Sequence, residues 1–252
     1  MGADAAYHLY YWPSIPGRGE FVRLVLEELG LPYVDVARTP AAGGVAAVAA
    51  LRLGAGAGAP VFAPPVLVPP GCGLEAAISQ TAAITAYLGE THGLAPADPL
   101  LRAQCRAAML TVMDVVAEAH DVHHPVATAL VYEAQQAEAL RRARWFVDER
   151  LGQRLRYFER LLEAGGGPWL FGAQLSYADL GLFQLLAGLE FAFPRAFASW
   201  SHVAPRQLEL RAAVAERPNI AAYLRSSRRL PFSRQGIFRD YPELDGVPTP
   251  QA

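Results

Sequence analysis

Between residues 93 and 99 the pattern of this chain changes, and that change limits its fold more than any other feature. Before GLAPADP, short aromatic or β-branched runs alternate with helical ones. After it, apolar residues recur only at helical spacing. The chain of 252 residues therefore divides, on this reading, into an α/β part at 1–92, a linker at 93–99 and an all-helical part at 100–252 with a proline-rich tail.

In the first part, YHLYY (7–11) is strand-like, and Pro13, Pro16 and Gly17 mark a loop. Phe21, Val22, Val25, Leu26 and Leu29 then lie on one helical face, with Gly30 placed to end the helix. LPYVDV (31–36) is a second strand, and this compact βαβ unit calls for parallel pairing. An alanine-rich helix and a glycine-alanine loop, AGAGAP (55–60), follow. FAPPVLV (62–68) and GLEAAIS (73–79) predict an antiparallel hairpin about Pro69-Pro70-Gly71, and Ser79–Glu90 a further helix. The order β-α-β-α-β-β-α is that of a thioredoxin-like domain. In the second part helices are predicted over 100–124, 130–164, 176–190, 206–216 and 218–228, and the tail is expected to lie across the surface.

Composition closes off several chemistries. Hydrophobic residues make up 52% and charged residues 18%, which excludes a disordered chain. The formal net charge of -2 offers no general attraction to nucleic acid or anionic lipid. All 22 basic residues are arginine, so no Schiff-base or P-loop lysine exists. Cys72 and Cys105 lie far apart and fit a reducing compartment; with no signal-like N-terminus and no long apolar span, a cytoplasmic location off the membrane is expected.

Three local signals carry more detail. Ser176 and Asp179 in LSYAD have capping-box spacing, flanked by Leu175 and Leu180 as a hydrophobic staple; this is a folding element, not a site. Pro64-Pro65 at the start of a strand is a candidate cis bond. Gln80 and Thr81 open a helix, where free N–H groups favour a carboxylate, although simple capping explains them as well. His120 and His124, at i and i+4 with His123 between, could share a divalent ion, but pocket lining or surface is the better reading and no metal site is expected.

Taken together, YYWPSIPGRGEFVRLVLEELGLPY, PVL with ISQTAAITAYL, GAQLSYADLGLF and ERPNIAAYLRS resemble the cytosolic glutathione transferases over nearly the whole chain. The resemblance implies conjugation of the glutathione thiolate to a hydrophobic electrophile, with glutathione as co-substrate, no tightly bound cofactor, and a homodimer. It makes Pro65 the cis-proline, pairs the Val66 backbone with the cysteinyl part, and gives Gln80 and Thr81 the γ-glutamyl end. It places Glu118 where an acid reaches the partner subunit's glutathione, and leaves the glycine carboxylate to Arg52 or Arg38. Trp12, Met113, Ala117 and His120 would line the electrophile pocket. Thiol activation falls to Tyr11 in the tyrosine-type pattern, or to Ser14 in the serine-type pattern, with Arg18 lending positive potential. A scaffold without turnover, or a glutathione-dependent isomerase or peroxidase, fits the same residues.

Overall fold

The computed structural model describes residues 5–52 and 60–249, without the side chain of Arg52. The loop expected at 55–60 lies, except for Pro60, outside the described residues.

Chain order in the first part is β1 (Tyr7–Tyr10), α1 (Gly19–Glu28), β2 (Tyr33–Asp35), α2 (Gly44–Arg52), β3 (Val66–Val68), β4 (Ile78–Ser79) and α3 (Thr81–Thr91). These build a four-stranded sheet in the order β2-β1-β3-β4, with β1 parallel to β2 and the other two pairs antiparallel. The α/β expectation holds. The strand predicted at 73–79 is shorter, because Leu74–Ala76 winds into a 3₁₀ turn and leaves only Ile78–Ser79 to pair.

The second part holds α4 (Pro99–His123), α5 (Gln136–Trp145), α6 (Leu151–Gly165), α7 (Tyr177–Ala192), α8 (Pro194–Trp200), α9 (Pro205–Glu216) and α10 (Pro218–Leu224). Asp98 caps α4 by accepting from the Leu101 N–H at 2.9 Å. A 3₁₀ turn at Tyr132–Gln135 leads into α5, and a π turn at Phe146–Arg150 joins α5 to α6. On α6, Leu151, Leu155, Phe158 and Leu162 form the buried stripe. α7 is buried on every face through its first ten residues and packs against α4, α8 and α9.

By contacts the chain forms two compact units. The first runs to Ala95 and regains Arg217–Pro231, so α10 packs on α1; the second takes Pro96–Glu216 and the chain from Phe232 onward. Sequence periodicity assigned α10 to the helical part because period reveals an element's type, not its neighbours. The tail, expected on the surface, instead buries Ile237, Phe238 and Leu244 in the second unit. Its Asp245 carboxylate accepts the Arg195 and Ala196 N–H groups at the start of α8, at 2.9 and 3.0 Å.

Candidate functional site

Register across the sheet gathers the predicted residues of the first unit. Tyr10 lies opposite Val66, and Val66 opposite Ser79. Since β3 runs against both neighbours, the next residues outward, Tyr11, Pro65 and Gln80, fall at one end of the sheet. The Pro64–Pro65 peptide there is cis. Val66 is fully buried with a strand on each side.

Tyr11 is 5% exposed, beneath the start of α1. Its hydroxyl oxygen accepts the backbone N–H of Arg18 at 2.8 Å, a bond that leaves its own hydrogen to donate elsewhere. Two glycines make this fit possible. Gly17 sits at φ +46°, and a Cβ there would collide with the Tyr11 hydroxyl; one on Gly19 would come within 2.5 Å of the ring. Burial raises the Tyr11 pKa, opposed by the Arg18 N–H and the cations of Arg23 and Arg18. The phenol therefore stays protonated at neutral pH. Ser14, the alternative activator, is exposed.

Under Tyr11 lies a group that the sequence reading passed over. Arg23 is fully buried, with its guanidinium 5.8 Å from the Tyr11 ring centroid. It donates to Asp35 at 2.8 Å and to Glu20 at 3.2 Å, and Glu20 also takes the hydroxyl of Tyr223 and the guanidinium of Arg229. Charges buried this deeply persist only when paired. The signal was present: an i,i+3 acid-arginine pair inside an apolar helix, answered by one tyrosine and one arginine about two hundred residues on.

At the third strand end, Gln80 has φ +73°, the only positive value at a non-glycine among the described residues. Thr81, next to it, is 2% exposed, and its Oγ1 is buried without a hydrogen-bond partner among the described residues. No side chain caps α3. A buried hydroxyl with no partner beside an uncapped helix start has the form of a place built for a ligand acceptor.

Known proteins share this architecture. The solved Pi-class glutathione S-transferase of Onchocerca volvulus superposes with a TM-score of 0.69 at 20% identity, over 92% of this chain and 99% of that one. The glutathione S-transferase of Ascaris lumbricoides gives 0.63 at 24% identity, over 87% and 96%. A structure described as rat hPGDS complexed with a quinoline gives 0.66 at 21%, over 87% and 96%. No curated protein sequence matches significantly. Residues 120–227 match the family model described as glutathione S-transferase, C-terminal domain. The chain has the glutathione transferase fold, and its residues 120–227 are similar to that family's C-terminal domain.

The remaining expected residues fall as follows. Arg18 supplies its N–H to Tyr11, as described. Trp12 is half-buried in the loop after β1. On α4, Met113, Ala117 and His120 follow one another at i, i+4 and i+7 along a partly exposed stripe. Glu118 is paired within its own unit: its carboxylate accepts from Arg150 at 2.6 Å and Arg154 at 3.2 Å. Sequence spacing placed the acid but could not reveal the two arginines packed against it. Arg38 is likewise engaged, donating to the carbonyls of Arg228 and Ser227 at 2.7 and 2.9 Å. The side chain of Arg52, the other candidate for the glycine carboxylate, lies outside the described residues. No helix of the described residues is long and apolar enough to cross a membrane.

Proposed function

We propose that this protein conjugates the thiolate of glutathione to a hydrophobic electrophile, with Tyr11 as the group that stabilises the thiolate. The observation that carries the reading is the Tyr11 hydroxyl: buried, kept protonated, and oriented by the Arg18 N–H with its hydrogen still to give. A free thiol titrates near ~8.5. One charge-assisted hydrogen bond worth roughly 1.5–3 kcal/mol would lower that by about one to two units, to roughly 6.5–7.5, which raises the thiolate share at neutral pH by about an order of magnitude or more. Gln80 and Thr81 hold the γ-glutamyl end, and the backbone at Pro65–Val66 meets the cysteinyl part. Arg18 adds positive potential, and Arg23 acts as a positioning residue beneath the Tyr11 ring. Trp12 is kept as a residue for the electrophile, and so, on the reading from sequence, are Met113, Ala117 and His120 of α4. Arg52 is retained for the glycine carboxylate. The chemistry is that of a cytoplasmic detoxifying homodimer with no nucleic-acid or membrane partner.

A second reading uses the same thiolate. Besides hPGDS, a structure described as prostaglandin synthase D of Nilaparvata lugens resembles this fold with a TM-score of 0.65, which supports a glutathione-dependent isomerase as the alternative. Tyr11→Phe and Ser14→Ala, assayed with a generic aryl halide, test the assignment. Tyr11→Phe should lower turnover by more than ~10-fold while the KM for glutathione stays near its parent value. The reverse pattern would transfer the role to Ser14, and glutathione binding without turnover of any electrophile would favour a scaffold.

A further inference from the structure

Three imidazoles meet where α4 ends. The ring nitrogens that His120, His123 and His124 can each offer lie within 4.8 Å of one another, and His123 and His124 are buried. The hydrogen bonds fix which nitrogen carries a proton. His123 Nε2 lies 2.7 Å from the Ile237 carbonyl oxygen, which can only accept, so Nε2 bears the hydrogen. As a neutral ring, His123 then presents a lone pair at Nδ1, 2.6 Å from His124 Nδ1, which is the donor in that tautomer. The third ring, His120, stacks on His124 with centroids 5.2 Å apart.

A neutral imidazole that gives one N–H to a backbone carbonyl and turns its other nitrogen toward two more imidazoles has the arrangement found around protein-bound metals. We propose that His120, His123 and His124 form a three-histidine site for a divalent ion of the zinc class. Imidazole suits such ions, and three ligands leave a fourth position open for water or an anion. Binding would move the His124 proton from Nδ1 to Nε2. It would also open the 2.6 Å contact to roughly 3.3 Å, the separation of two ligands at ~2.0–2.1 Å in tetrahedral geometry.

Two charges face the cluster. Asp121, 3.8 Å from His120 Nδ1, favours a cation, and Arg239 on the tail opposes one. The ion would also reach the tail, because His123 links it to Ile237 and the Tyr241 ring centroid lies 6.2 Å from that of His123. Metal would therefore tie the end of α4 to the tail within the second unit.

The test uses the full chain without a polyhistidine tag and does not involve glutathione, so its outcome is independent of the proposed activity. Titration with Co2+ should saturate at one ion per chain with the intense visible bands of four-coordinate cobalt, and Zn2+ should displace it. His120→Ala and His124→Ala should each weaken Zn2+ binding by about 100-fold or more, with circular dichroism unchanged in the absence of metal. Absence of saturable Co2+ binding, weak six-coordinate bands, or unchanged Zn2+ affinity in both variants would overturn the proposal. If either variant fails to fold, the spectrum of the unsubstituted protein decides.

Discussion

Two helix starts in this molecule carry similar sequence signals and end in opposite states. At α7 the cap is closed from within: Asp179 accepts from the Leu170 N–H at 2.8 Å, the Ser176 N–H at 2.7 Å and the Ser176 hydroxyl at 2.6 Å. At α3 no side chain caps the helix, Gln80 holds a positive φ, and the Thr81 hydroxyl is buried without a partner among the described residues. Saturation marks the first as a part of the folding core. An unpartnered buried hydroxyl, kept despite its cost, is what the proposed function uses at the second, as a contact for a ligand from outside the chain.

Removing the saturated cap should have the largest effect. Asp179→Ala leaves three buried donors unpaired and should cost about 3–5 kcal/mol in a denaturant titration. A loss under ~1 kcal/mol would place α7 in the same class as α3.

The same carboxyl predicts a pH effect. Burial raises its pKa from 3.8 to about 6, so between these values the folded state binds more protons than the unfolded one. Its contribution is therefore full below about 4 and falls as pH rises through about 6, by roughly 2–3 kcal/mol. Stability of the parent relative to Asp179→Asn should decline across that window; a parallel pair of curves would contradict the shift.

Thr81→Val should behave in the opposite way to Asp179→Ala. The folded state has no hydrogen bond to lose, so the melting temperature should hold or rise slightly, while the KM for glutathione should rise by about 10-fold. Destabilisation with unchanged KM would make Thr81 a structural residue.

Gln80→Gly should have the smallest effect on the fold. Relief of the left-handed backbone, partly offset by the entropy of glycine, should change stability by less than ~1 kcal/mol, while glutathione binding weakens. Equal affinity in parent and variant would remove the side chain from the site.

Much of this was legible in the sequence because it is local. The capping box at Ser176, the βαβ order and the cis step at Pro65 each depend on a few neighbouring residues. What the sequence hid depends on residues distant along the chain. Glu20 and Arg23 sit on a helix whose apolar spacing gives no reason to bury charge, until Tyr223 and Arg229 arrive from α10 and the residues just after it. Glu118 read as an open acid because Arg150 and Arg154 lie 32 and 36 residues away. The histidine trio was visible as spacing alone; the Ile237 carbonyl that fixes its protons was not.

A crystal structure with glutathione bound tests the thiolate assignment most directly. It should show the sulfur within hydrogen-bond reach of the Tyr11 hydroxyl and a γ-glutamyl carboxylate oxygen on Thr81 Oγ1 at the start of α3. A sulfur beside Ser14, or a peptide lying away from Thr81, would contradict it.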